Sequence, residues 1–203
     1  MLLGMPTARC APLQAALLLP LLALACRSVA PLGPTEAIPA PAAADGSAAG
    51  PAVLAPDTCG SLQKLSVFGD IYLASQPAPE DLRLLQERGV RTVIDLRRPQ
   101  EARGYDEADW ARTLGIEYVA LPFANESDLS DPIFARGREL LNQAQRPLLM
   151  HCGSSNRVGA LWLAWRALDG GLTLEEAREE AKRVGLKSPA LEAKAIDYVQ
   201  RQR

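Results

Sequence analysis

The chain contains a single histidine in 203 residues, His151. Ser-His-Asp catalysis or a multi-histidine metal site would have to be built around that one side chain, which argues against both. There is no basic surplus either. The 22 Lys and Arg residues face 24 Asp and Glu, a net charge of −2, so the composition gives no sign of a nucleic-acid partner. The apolar run from Ala15 to Ala25 is too short to span a bilayer comfortably. From Arg27 to about Pro56 branched and aromatic side chains are nearly missing, and such a stretch has little with which to bury a surface. No internal repeat is visible. What remains is ordinary: 48% hydrophobic residues in a chain long enough to bury one core, hence one globular domain.

The N-terminus reads as a targeting segment. Arg9 followed by the short apolar run has the form of a signal peptide over residues 1–25, absent from the mature protein. Ala23-Leu24-Ala25-Cys26 fits both an Ala-x-Ala cleavage site and the cysteine-terminated box of a bacterial lipoprotein; the second is preferred, with Cys26 lipidated. Residues 26–56 then form an Ala/Pro-rich tether, and residues 57–203 the folded domain. An exported protein of the bacterial envelope or periplasm follows, touching the membrane only through Cys26. Two cysteines remain in the domain, Cys59 and Cys152. A bridge between them would act as a redox switch by blocking Cys152; an unpaired Cys59 near the domain edge is the simpler expectation.

Within the domain, Leu65 to Phe68 and Ile71 to Ala74 flank the turn dipeptide Gly69-Asp70 and predict a hairpin. Pro79 with Glu80 and Asp81 opens a helix that stops at Gly89. Val90 to Leu96 reads as a buried strand and Ile116 to Leu121 as the next strand, with a helix from about Asp106 to Leu114 between them. Asp131-Pro132 reads as a helix cap and first-turn proline, Leu148 to His151 as the central strand, and Val158 to Leu168 as a core helix. Thr173 and Glu176 form a capping box, and Ser188-Pro189 opens a last helix. Strands alternating with helices imply an α/β domain with a mostly parallel central sheet flanked by helices. Ligands bind beyond the carboxyl ends of such strands, where Arg97, the loop from Phe123 to Asp131, and Cys152 should converge.

The chemistry concentrates in Pro147 to Trp162. A strand-length apolar run ends at Cys152, small residues turn the chain, and Arg157 opens an apolar helix. The amides of Gly153, Ser154, Ser155 and Asn156, a helix N-terminus and the Arg157 guanidinium together make a cradle for a tetrahedral anion. The same field favours the thiolate of Cys152, the nucleophilic form. His151 precedes the nucleophile on an alternating strand, so its ring should point away from substrate and support the loop from behind.

At these residues the chain resembles cysteine-dependent phosphatases of the protein tyrosine and dual-specificity type, whose signature is His-Cys, a small-residue loop and Arg. Four residues separate Cys152 from Arg157, one fewer than is general in those enzymes. The shorter loop, the segment Ile71 to Pro77, Ile94-Asp95-Leu96-Arg97 and Asn156 to Trp162 are similar to the phosphatase-like domain of β-lactamase-hydrolase-like proteins, over roughly residues 62–168. The resemblance implies a cysteine-phosphatase-like fold, attack by Cys152 on phosphorus, anion binding by Arg157 and the loop amides, and no metal or cofactor. Its substrate would be a phosphorylated protein or a small phosphate ester. A general acid is needed as well. Glu126, Asp128 and Asp131 are the candidates; Asp128 is chosen because Asp131 has a structural use as a cap and Glu126 lies nearer the strand end. Two positions depart from the resemblance. Val158 stands where related enzymes carry Ser or Thr, and Ser155 where the short-loop family carries glycine, a strained choice if that position has positive φ. The loop length also suits a rhodanese-like sulfurtransferase using a Cys152 persulfide, and the departures suit an envelope lipoprotein that only binds anions.

Overall fold

A computed structural model describes residues 52–203; the export segment, Cys26 and the tether up to residue 51 lie outside the described residues. Six strands form one sheet: β1 (Ala55–Pro56), β2 (Leu65–Phe68), β3 (Ile71–Ala74), β4 (Thr92–Asp95), β5 (Glu117–Ala120) and β6 (Leu148–His151). The spatial order is β1-β2-β3-β6-β4-β5. β3, β6, β4 and β5 run parallel, while β1 and β2 are added antiparallel at one edge. The expected hairpin is present, closed by the Phe68–Ile71 pair with Gly69 at φ +58°, a conformation that glycine adopts without steric penalty.

Among the described residues six helices connect and cover the sheet: α1 (Pro79–Glu87), α2 (Glu107–Thr113), α3 (Asp131–Gln143), α4 (Asn156–Leu168), α5 (Leu174–Val184) and α6 (Pro189–Gln202). Alternation along β6 divides the core in two. Leu148, Met150 and Cys152 pack with residues of α3 to α6, whereas Leu149 packs with Leu82 and Leu85 of α1 and Ala111 of α2. β6 is buried along its whole length between β3 and β4. The core helix expected from its apolar sequence is α4, buried from Val158 to Ala167.

The structure corrects two expectations. Ala55 and Pro56, assigned to the tether, pair with Val67 and Ser66, and Leu54 beside them is buried. Proline is tolerated there because β1 is an edge strand, and its composition is indistinguishable from that of the tether. Asp131 is not the cap of α3. Ser130 holds that place with extended backbone, and Asp131, the first helical residue, pairs with Arg201 of α6 at 2.8 Å. Ser, Asp and Pro in succession allow either register, and the tertiary ion pair selects this one.

α4 and α5 are locked by a buried polar contact. Glu180 accepts from Arg166 Nε at 2.7 Å and from Trp162 Nε1 at 3.1 Å, and the Arg166 guanidinium lies 4.5 Å from the centroid of the Phe68 ring. Removing one member leaves an uncompensated buried charge. Glu180→Ala should therefore cost about 3 kcal/mol or more in urea unfolding. A loss below about 1 kcal/mol would mean that stacking on Phe68 alone secures Arg166.

Candidate active site

The loop predicted from the sequence joins β6 to α4 at the carboxyl edge of the sheet, with Cys152 buried at its base and Gly153 and Ser154 exposed at its mouth. Its outer side is held by the residues that follow β3: Ser154 forms a bridge with Ser75, and Gln76 N–H reaches Gly153 O at 3.5 Å. Its other side is held by the α5–α6 connection. The Asn156 carboxamide oxygen accepts from the backbone N–H groups of Lys187 (2.7 Å) and Ser188 (3.0 Å). Asn156 thus contributes its side chain to fixing the loop.

Ser155 caps α4 at φ +64°, ψ 0°, the left-handed conformation that was the condition for strain at this position. Its hydroxyl is buried without a hydrogen-bond partner among the described residues. Gly185 packs directly against it; a Cβ there would come within 2.8 Å of the Ser155 Cβ.

Arg157 is anchored on one side only. Nη1 donates to Leu96 O (3.2 Å), Phe123 O (2.8 Å) and Glu101 Oε1 (2.6 Å), and Nη2 donates to Glu101 Oε2 at 2.7 Å. A guanidinium has five N–H donors in a fixed plane. The Nε–H and the second Nη2–H have no protein oxygen acceptor among the described residues and can take two oxygens of one anion; the guanidinium is also in contact with Cys152. Burial alone would lower the Arg157 pKa; the Glu101 hydrogen bonds and the nearby Cys152 outweigh it and raise it. The bonds from Arg157 hold the Glu101 carboxyl at about 2, below its ordinary 4.5.

His151 behaves as its position in the strand predicts. It is fully buried on the α1/α2 face, opposite to Cys152, with Nε2 2.7 Å from Glu107 Oε1 and 3.9 Å from Asp95 Oδ1. Asp95 Oδ2 accepts from Arg103 Nη2 and from Tyr118 Oη, both at 2.7 Å. Burial, then the bond to Asp95, pushes the Tyr118 hydroxyl up. Asp95, Glu107 and His151 have the residue types of a metal site, with ligand atoms within 4.8 Å of one another. The Arg103 guanidinium already supplies the positive charge that a cation would bring, so the group reads as an ion-pair network.

The other expected residues fall in mixed places. Arg97 is buried, but it donates to Gln76 Oε1 and Ala102 O and so braces the loops. The segment after β5 reaches the site through Phe123 O. Asp128 lies in that segment and is exposed; Oδ2 accepts Ala124 N–H at 3.0 Å and sits 3.8 Å from Arg98. Glu126 is exposed, and Asp131 is turned toward α6. Cys59 and Cys152 are both free and belong to different halves of the core, so no bridge joins them. Burial pushes the Cys59 thiol up, toward the unreactive form. Glu101, Glu107 and Arg103 were missed by sequence reasoning, since acids beside a helix start or in a polar loop are ordinary. Asp95 did carry a signal, a carboxylate ending the apolar strand Val93-Ile94.

The family described as DSP-PTPase phosphatase fused to NAD+ kinase matches residues 62–197. The chain belongs to this family. It is thus a phosphatase-type domain of the cysteine-dependent protein tyrosine and dual-specificity class, a class of hydrolases. Among solved structures, P. aeruginosa TpbA is 24% identical, with a TM-score of 0.52 over 67% of this chain and 83% of that one. Tk-PTP in its active form is 22% identical, with a TM-score of 0.53 over 66% and 93% of the two chains. Both likenesses carry the fold. A search of curated proteins gives no match.

Two outcomes follow from this geometry. Ser155→Gly should raise stability by about 1 kcal/mol, because it removes left-handed strain and a buried hydroxyl without a partner; thermal or urea unfolding checks this, and a loss would show that the serine Cβ packs productively. The second concerns acid. Since the folded Glu101 carboxyl is depressed, its contribution is present above the ordinary 4.5 and is lost as pH falls toward about 2. Glu101→Gln should flatten the stability curve over that window. An unchanged acid limb in the variant would contradict it.

Proposed function

We propose that the chain hydrolyses phosphate monoesters through a cysteinyl-phosphate intermediate formed on Cys152. The observation that supports this most is the anchored guanidinium of Arg157, which lies against Cys152 at the base of the loop and keeps Nε–H and one Nη2–H free of protein oxygens. Cys152 Sγ attacks phosphorus in line and expels the ester oxygen, while Arg157 and the amides of Gly153 to Asn156 hold the equatorial oxygens. Asp128 protonates the departing oxygen. The resulting carboxylate then takes a proton from water, which attacks phosphorus, releases phosphate and restores the thiolate. His151 supports the strand end. Val158 gives the departing sulfur no hydroxyl, so release of phosphate should be the slower step.

The substrate class is a phosphorylated protein or a small phosphate ester. One TpbA structure is a complex with phosphotyrosine, which favours a phosphotyrosyl side chain as the first candidate. A groove of about 360 Å³ borders Gly153 and is lined by Ser61, Gln63, Gln76 and Arg103, giving the leaving group a polar surround. The targeting segment and Cys26 support export to the bacterial envelope on a lipid anchor, with the tether carrying the domain clear of the membrane.

The test uses p-nitrophenyl phosphate and an alkyl phosphate under reducing conditions. Cys152→Ser and Arg157→Ala should abolish turnover; activity that survives either change, or thiosulfate-to-cyanide transfer without phosphate release, would replace this reading. Asp128→Asn should slow the alkyl ester by roughly two to four powers of ten and the activated aryl ester much less. Asp131→Asn should leave both rates nearly intact. If the two variants exchange behaviour, the acid is Asp131.

A further inference from the structure

Behind the nucleophile, on the face covered by α1 and α2, lie buried charged groups whose arrangement the reaction above does not explain. His151 and Asp95 stand opposite one another in the β4–β6 pairing, and Glu107 meets them from the start of α2. All three are at most 1% exposed. Their oxygens are nearly all engaged. Asp95 Oδ1 accepts Arg97 N–H at 2.7 Å, Asp95 Oδ2 accepts from Arg103 and Tyr118, and Glu107 Oε2 accepts from Gln76 Nε2 at 2.9 Å. Glu107 Oε1 is the one left over, and it lies 2.7 Å from His151 Nε2. Neither atom has another hydrogen-bond partner among the described residues, so the carboxylate oxygen and the imidazole face only each other.

The side chains sort into pairs. Asp95 is matched by Arg103 at 2.7 Å, whereas Glu107 is 3.9 Å from that guanidinium and has His151 as its close counterpart. Cys152 is the next residue. The backbone at this point is tied more loosely than in the strand proper: Cys152 N–H reaches Ala74 O at only 3.4 Å, where β6 opens into the loop. On the other side His151 O accepts Leu96 N–H at 3.0 Å, so the imidazole contact adds to this backbone bond in setting where the loop begins.

We propose that Glu107 is a positioning residue that acts on Cys152 through His151, by holding the imidazole in one orientation behind the strand end. The assignment rests on Cys152 being the reactive thiol. Carboxylates that orient a functional imidazole commonly matter as much as groups that touch the reacting atoms.

The full chain is treated with iodoacetamide, alkylation of Cys152 is followed by peptide mass, and kcat and KM are measured on p-nitrophenyl phosphate. Glu107→Gln should slow alkylation and kcat by about tenfold while KM changes by less than about twofold. On a His151→Asn background the same change should add nothing further, since its path of action is gone. Wild-type alkylation in a folded Glu107→Gln variant, or single effects that multiply in the double variant, would overturn the proposal. Should Glu107→Gln not fold, Glu107→Asp keeps the charge and withdraws it by one methylene: slower alkylation supports the role, and wild-type alkylation overturns it. Failure of both to fold makes Glu107 structural and also overturns it. Alkylation separates this proposal from the phosphatase reading. A chain without phosphate release whose Cys152 still reacts more slowly in Glu107→Gln keeps the positioning role and loses the phosphatase; normal turnover with alkylation indifferent to position 107 does the reverse.

Discussion

β6 is paired on both sides, Ala74 and Asp95 flanking His151 in a fixed parallel register, and successive side chains of a strand point to opposite faces. Those two constraints place the imidazole and the thiol of adjacent residues in separate halves of the core. A slip of one residue would exchange them and bring Met150 onto the face of Glu107. The thiol then emerges beside the start of α4, and the histidine beside α2. Neither helix could do the other's work, because α4 offers open amides and Arg157 whereas α2 offers a carboxylate.

The guanidinium shows why the cradle needs partners that never meet the substrate. A half-buried cation without compensation would be costly, and full compensation would leave it nothing to bind with. Glu101 and two carbonyl oxygens take the Nη1 donors and one Nη2 donor and leave Nε–H and the other Nη2–H without a protein oxygen among the described residues. The planar fork allows this division; a lysine at position 157, with one freely rotating ammonium, would be drawn wholly onto Glu101.

The parts of the molecule that were legible in the sequence are those governed by neighbours along the chain. Gly69-Asp70 specified the hairpin, Thr173 with Glu176 the start of α5, Ser188-Pro189 the start of α6, and the spacing of Cys152 from Arg157 the anion loop. Each rests on a backbone requirement met within a few residues. Contacts between distant segments were not legible. Glu101 reaches Arg157 across 56 positions, and in the sequence it is one more acid in a polar stretch. The edge strand Ala55–Pro56 was hidden for a different reason, since only pairing with β2 separates it from the tether. Ser130 and Asp131 were confused because both cap helices, and Arg201, 70 positions away, decides between them.

Ser155 brings the local and the distant together. A non-glycine residue in the left-handed region persists only where its surroundings over-determine it. Here they do so from two directions: the Asn156 side chain clamps the α5–α6 connection, and Gly185 of that connection leaves the space that the Ser155 Cβ occupies. The strain is sustained by the packing of the α5–α6 connection against the loop, which means that the loop is shaped before any anion arrives. Ordering the amides is then a cost of folding and is not charged against binding. Glycine at 155 would relieve the backbone but would also return freedom to the loop. The serine therefore exchanges stability for a cradle with fewer conformations to search, and α5 and α6, which touch no reacting atom, become part of what makes Cys152 and Arg157 a site.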